Sequence, residues 1–285
     1  MSITTAQSGF FHSRPHPRAK IEAHRRPKVS VIIPTLNEAE NLPYVLPRVP
    51  SWVHEVILVD GYSTDNTIAV AQQVLPHIRI VKQDARGKGA ALRCGIAAAR
   101  GEIVVLLDAD GSTDPEEIPV FVSALLAGAD YAKGSRFLQG AGTIDMPPYR
   151  QAGNWGLVTL TNVLFKTRYT DITYGYNAFW KEHANLLAFE INGWANEIVN
   201  NIRAAKSGLH VVEVASYEHE RIAGQAKLQT FSAGWTILKA ILRERFVAVK
   251  KPTRKFAASA KSKSDAQNNT NFLDSFYTDG GADLA

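Results

Sequence analysis

The stretch Ile103-Val104-Val105-Leu106-Leu107-Asp108-Ala109-Asp110-Gly111-Ser112 decides the fold. Five consecutive apolar residues without polar alternation read as a strand covered on both faces, the pattern of a parallel sheet with helices on either side. It breaks abruptly into two carboxylates two residues apart. Working outward, similar apolar runs recur at Val29–Ile33, Glu55–Val59, Ile78–Lys82 and Tyr131–Gly134. Helical spacing falls between them, at about 39–48, 66–75, 89–99 and 115–127. Asp114 before Pro115 reads as an N-cap followed by a first-turn proline. The alternation predicts an α/β fold with a mostly parallel, doubly wound, Rossmann-like sheet and helices on both faces.

In such sheets ligands bind beyond the carboxyl ends of the strands, so the residues ending each run are the candidates. The first run ends in Pro34-Thr35-Leu36-Asn37-Glu38, the second in Asp60-Gly61-Tyr62-Ser63-Thr64-Asp65 and the fourth in Asp108-Ala109-Asp110. Asp65 suits a ligand site and the cap of a following helix equally, whereas Asp60 suits a ligand site better than a cap. Asp108 and Asp110 repel each other unless a cation lies between them. Hard oxygen donors select Mg²⁺ or Mn²⁺, which commonly take one or two carboxylates plus substrate phosphates. Gly87-Lys88-Gly89 opens a helix with close backbone approach and a cation, a phosphate-type arrangement. Neither a Walker A sequence nor G-x-G-x-x-G follows the first strand, which disfavours a P-loop NTPase and a nicotinamide dehydrogenase.

Composition bounds the rest. The chain has 285 residues, 45% hydrophobic and 21% charged, with a net charge of +5, the make-up of an ordinary globular domain. The basic residues gather at the ends: Arg14, Arg18, Lys20, Arg25, Arg26 and Lys28 in one stretch, and Lys239 through Lys263 in another. Residues 1–27 and 251–285 read as disordered tails around a 28–250 domain. The tails lack the interleaved aromatics that stack bases, so no nucleic-acid partner is expected. Cys94 is the lone cysteine, excluding an intramolecular disulfide. The histidines show no zinc-ligand spacing. No apolar stretch approaches the length of a membrane span, and Phe10-Phe11 is too short for a signal-peptide core. A cytoplasmic protein is expected, with peripheral contact to the cytoplasmic membrane face as an addition. That contact would use the helix at about 230–249. Phe231, Trp235, Leu238, Leu242, Phe246 and Val249 form an apolar stripe there beside Lys239, Arg243, Arg245 and Lys250. Such a stripe packs on the domain core or lies in a membrane interface. Trp155, Trp180 and Trp194 read as core or as walls of an acceptor site.

Taken in order, these segments resemble glycosyltransferase family 2, of A-type fold, and within it the polyprenyl-phosphate (dolichol-phosphate) sugar transferases. The likeness spans about 29–245. It adds Gly134-Ser135-Arg136, Asp171-Ile172-Thr173-Tyr174-Gly175-Tyr176 before a short strand, Glu197 on the next helix, and a basic loop from Glu220 to Leu228. The resemblance implies that Pro34, Asn37, Glu38 and Asp60 line a nucleoside pocket, with Lys88 near the nucleotide. It implies that Asp108 and Asp110 carry the metal and diphosphate, and that Arg136, Arg221 and Lys227 face phosphates of donor or acceptor. It further implies inverting transfer in one in-line displacement. Asp171 or Glu197 would be the base if the acceptor were a hydroxyl of a saccharide or small molecule. A polyprenyl phosphate acceptor needs none. Three departures stand out: Asp60-Gly61-Tyr62 where the family often has Asp-Asp-Gly, Ser112 where a Gln is common, and Tyr174-Gly175-Tyr176-Asn177 in the acceptor loop. A sugar-1-phosphate nucleotidylyltransferase would need a basic glycine-rich loop after the first strand, which is missing. A non-catalytic nucleotide-sugar-binding protein would not require the intact Asp108 and Asp110.

Overall fold

A computed structural model describes residues 26–189, 191, 193, 195–224 and 230–251, with backbone alone at 230–232. The two expected tails lie almost wholly outside the described residues, and so does Trp194. Strands β1 (Val29–Thr35), β2 (Glu55–Asp60), β3 (Arg79–Lys82), β4 (Ile103–Leu106), β5 (Tyr131–Ser135), β7 (Asn177–Trp180) and β8 (Val211–Ala215) form one seven-stranded sheet. Its order is β3-β2-β1-β4-β7-β5-β8. All neighbours are parallel except β7, which runs antiparallel to both β4 and β5. Two short strands, β6 (Gly142–Thr143) and β9 (Tyr217–Glu218), pair separately.

The continuous apolar runs are explained by two buried layers. Successive strand residues face opposite sides. Val29, Val31, Ile33, Ile103 and Val105 therefore join one core, and Ile32, Val104 and Leu106 the other. The first core is closed by α1 (Leu42–Val45), α2 (Thr67–Val74) and α4 (Ile118–Leu126). The second is closed by α3 (Lys88–Ala98) and by Leu186, Leu187 and Phe189. The predicted helix at 39–48 is shorter than expected: α1 gives way to a 3₁₀ turn at Leu46–Arg48. Pro47 has no N–H to give and its ring crowds the preceding turn. Asp114 caps as the sequence indicates, its side chain accepting from the Glu116 N–H at 2.9 Å.

Three further helices sit beside the sheet: α5 (Pro148–Phe165), α6 (Asn196–Ser207) and α7 (Thr230–Glu244). They share a third core of Val158, Tyr169, Ile172, Ile198, Ile202, Ile237 and Ile241. Here the structure separates the two readings of the last helix. Among its described side chains, Ala233, Ile237 and Ile241 are the buried apolar ones, whereas Trp235, Leu242 and Phe246 of the sequence-derived stripe are 59%, 47% and 89% exposed. The segment has two apolar faces, and the aromatic one does not pack on the domain.

Candidate active site

The carboxyl ends of β1 and β2 are stitched into one ledge. The Asn37 N–H donates to Ser63 Oγ at 3.0 Å, and the Thr64 N–H donates to Asn37 Oδ1 at 2.8 Å. Asp65 accepts from the N–H groups of Ala39 and Thr67. Asp60, nearly buried, accepts from the Ser63 N–H. Asp65 thus accepts from the first N–H of α2 and ties that helix start to the β1 loop, a local structural role. Pro34 lines a small void beneath the ledge with Lys88, Asp108 and Glu197. Glu38 accepts from Asn41 Nδ2 at 2.6 Å.

Lys88, at the first turn of α3, lies between two acids: its Nζ is 2.8 Å from Asp108 Oδ1 and 2.8 Å from Glu197 Oε1. Burial alone would lower its pKa, but the two carboxylates outweigh burial and raise it, holding the ammonium charged. Gly175, just before β7, leaves these groups uncovered. A Cβ there would lie 3.2 Å from both Lys88 Nζ and Glu197 Oε1, and 3.4 Å from Asp108 Oδ2.

Asp110 is oriented by Ser112, whose N–H and hydroxyl donate to Oδ1 at 2.9 and 2.7 Å. Its Oδ2 meets Arg221 Nη2 at 2.5 Å. The strap carrying Arg221 crosses the ledge: the Ile222 N–H donates to the Asp110 carbonyl, and Asn41 Nδ2 donates to the Ala223 carbonyl. Arg221 also approaches Glu38, at 3.9 Å. Lys227 lies outside the described residues.

Arg136 and Asp171 are brought together, and Arg136 also lines the cleft with Lys88, Asp108 and Asp110. The buried guanidinium gives Nε and Nη2 to the two oxygens of Asp171 at 2.7 and 3.0 Å. It gives Nη1 to both oxygens of Glu218 and Nη2 also to Thr173 Oγ1. Its five N–H donors are therefore engaged within the protein. Burial would raise the Asp171 pKa, but Arg136 overrides it and holds the carboxyl at about 2. In this geometry the two residues form a buried pair that orders the 171–176 loop.

Asp108 and Asp110 face one cleft, and no group of three or more His, Cys, Asp or Glu side chains converges as a metal cage among the described residues. The donor set fits a Mg²⁺ or Mn²⁺ that takes its remaining ligands from a diphosphate and water. The cleft holds about 660 Å³ and runs from Lys88, Asp108, Asp110 and Arg221 to apolar walls on α5, α6 and α7. Sequence reasoning missed Glu218 as the second partner of Arg136, and it missed α5 altogether. The available signal was on α5, where Arg150, Gly153, Asn154 and Leu157 recur at the three- and four-residue steps of one helix face.

The sequence model of Glycosyl transferase family 2 matches residues 30–187. A polyprenol monophosphomannose synthase from Mycolicibacterium smegmatis is 35% identical over 211 residues, 70% of this chain and 80% of that protein. A dolichyl-phosphate hexose transferase from Haloferax volcanii is 31% identical over 219 residues, 75% of this chain and 92% of the relative. Among solved structures, a glucosyl-3-phosphoglycerate synthase from Mycobacterium tuberculosis, in complex with Mn²⁺, UDP-glucose and phosphoglyceric acid, superposes with a TM-score of 0.63. It is 22% identical, over 84% of this chain and 87% of that one, a likeness of fold.

Proposed function

The chain belongs to glycosyl transferase family 2, and we propose that it moves a hexose from a nucleotide-sugar donor, of GDP-mannose or UDP-glucose type, onto polyprenyl phosphate. The observation that carries this reading is the continuity of the cleft. One end presents Lys88, Asp108, Asp110 and Arg221; the other is walled by Met146, Leu157, Ile198, Ala233, Ile237 and Leu238. An acceptor with an anionic head and a hydrocarbon tail matches both ends at once.

The nucleoside would rest on the ledge formed by Pro34, Asn37, Glu38 and Asp60, with its diphosphate toward Lys88. A Mg²⁺ or Mn²⁺ held by Asp108 and Asp110 would supply Lewis-acid neutralisation of the departing diphosphate. The acceptor phosphate oxygen is ionised at neutral pH and attacks without a base. Its bond to the anomeric carbon forms as the bond from that carbon to the diphosphate oxygen breaks, which inverts the centre. With no proton to remove, Asp171 is free to remain in its pair with Arg136. Lys88 screens one anion and keeps Asp108 and Glu197 from repelling each other. Arg221 and Lys227, on the strap and its continuation, would hold the second anion. Arg221 reaches it by exchanging Asp110 for phosphate, to which its planar fork is suited.

The acceptor reading also gives the exposed aromatics a role. On α7, the exposed Trp235 and Leu242, with the exposed Phe246 just beyond the helix, share a helical face with Lys239 and Arg243, and Lys239 lies 5.2 Å over the Trp235 ring; Trp155 and Tyr149 on α5 are exposed too. Such a basic aromatic face suits the surface of an anionic membrane. No described helix is long and apolar enough to cross one. The contact would be peripheral, on the cytoplasmic leaflet.

The test is transfer of radiolabelled hexose from GDP-mannose and UDP-glucose, with Mn²⁺, to polyprenyl phosphate and to the corresponding polyprenol. A labelled lipid formed from the phosphate and not from the alcohol is expected. Transfer to the alcohol, or to soluble saccharides in preference to the lipid, would refute the acceptor assignment.

A further inference from the structure

Tyr62 occupies a backbone conformation that disfavours a bulky residue. Its φ is +68°, in the left-handed region where a Cβ crowds the following carbonyl. Strain of this kind persists only where the surroundings impose it, and it concentrates at ligand sites. The surroundings do impose it. On one side the Gly61 N–H donates to the Thr35 carbonyl at 2.8 Å, and a Cβ at Gly61 would stand 2.9 Å from that same oxygen. On the other side the Ser63 N–H is bound by Asp60, while Ser63 Oγ is bound by the Asn37 N–H. The turn is thus pinned immediately before and after Tyr62, and the ring is left 51% exposed.

A second, independent feature lies beside it. Gln83, one residue past β3, is only 6% exposed, and its Oε1 would be 3.4 Å from a Gly61 Cβ. Its carboxamide offers both a donor and an acceptor at that position. An exposed aromatic ring, a carboxamide and the Asp60 carboxylate therefore share the β2–β3 side of the ledge. The diphosphate-facing groups Lys88, Asp108 and Asp110 lie on the β1–β4 side. Flat, heteroatom-edged and lying one step out from a diphosphate is the description of a nucleobase.

We infer that Tyr62 is the stacking platform for the donor's nucleobase, with the Gln83 carboxamide facing the base edge. This rests on the nucleotide-sugar reading above. It gives position 62 opposed effects that a merely structural tyrosine would not show. Glycine there relieves the left-handed strain but removes the ring, and phenylalanine keeps the ring and the strain.

The experiment is calorimetric titration of GDP and of UDP, each with Mn²⁺, into the wild type, Tyr62→Gly and Tyr62→Phe, with Tm measured for all three. For whichever nucleotide the wild type binds, Tyr62→Phe should bind within about twofold. Tyr62→Gly should bind about tenfold or more weakly, the loss expected for one base–aromatic stack, while melting no lower than the wild type. Unchanged affinity in Tyr62→Gly would overturn the inference and leave the donor reading standing. Weaker binding accompanied by a lower Tm would also overturn it, giving Tyr62 a structural role. Binding of neither nucleotide by the wild type would overturn the donor reading itself, and this inference with it.

Discussion

Replacing Asp171 with asparagine removes one charge from a buried cluster and leaves its shape nearly unchanged. Arg136 then keeps Glu218 and Thr173 but loses the carboxylate that takes two of its N–H donors. Breaking a buried pair from one side typically costs about 3–5 kcal/mol. Because Glu218 still compensates the guanidinium, about 3 kcal/mol is expected near neutral pH. The pH dependence follows from the same contact. The Asp171 carboxyl is lowered from 3.8 to about 2, so its stabilisation is present above the unfolded value and lost as pH falls through the folded one. The full effect corresponds to about 2 kcal/mol, with about half of it remaining at pH 3. Urea unfolding of wild type and Asp171→Asn at pH 7, 4 and 3 reads both quantities. The gap should be nearly constant from pH 7 to 4 and narrow by about 1 kcal/mol at pH 3. A gap under about 1 kcal/mol at pH 7, or one that does not narrow, would refute the scaffold pair.

Asp110→Asn should lower metal-dependent transfer by more than about 100-fold with Tm nearly unchanged; full activity would remove Asp110 from the metal site. Gly175→Ala places a methyl 3.2 Å from Lys88 Nζ and Glu197 Oε1. Turnover should fall by about tenfold at little cost in stability, and wild-type kcat would show that the three charges tolerate displacement. The double variant Trp155→Ala/Trp235→Ala should bind anionic vesicles about tenfold or more weakly while melting like the wild type, since both rings are exposed. Equal vesicle binding would place the membrane contact elsewhere.

The carboxyl edge of the sheet was legible because its cause is local. An apolar run buried on both faces announces a parallel strand, and the polar residues that end it must fall at one edge. Ile103 to Asp110 and Val29 to Glu38 need nothing else. The rest depends on partners remote in sequence. Four residues at β7 carry no period that reveals their direction, so its antiparallel insertion between β4 and β5 was invisible. Arg136 reads as a phosphate ligand in isolation; its engagement by Glu218, 82 positions away, is decided only by the fold. On α7 the sequence shows an apolar stripe but not which of two apolar faces meets the core. The buried choice of Ile237 and Ile241 over Trp235 and Phe246 follows from where α5 and α6 stand.

The antiparallel strand has a consequence for how such a chain can change. β7 is a seam. On one side lie β3, β2, β1 and β4, which carry every nucleotide-facing residue proposed here up to Asp110; on the other lie β5 and β8, tied to the acceptor-side loops. Backbone ladders on both sides of β7 join the halves at this point, and the two sheet cores run across it. Under the proposed function, substitutions after residue 135 would act mainly on what receives the sugar, and those before 112 mainly on what delivers it. Gly175, Glu197 and the Arg221–Ala223 strap are exceptions: the first two meet Lys88 and Asp108 from across the seam, and the strap meets Asp110, Glu38 and Asn41. Those positions are where a new recipient and an old donor would have to be reconciled.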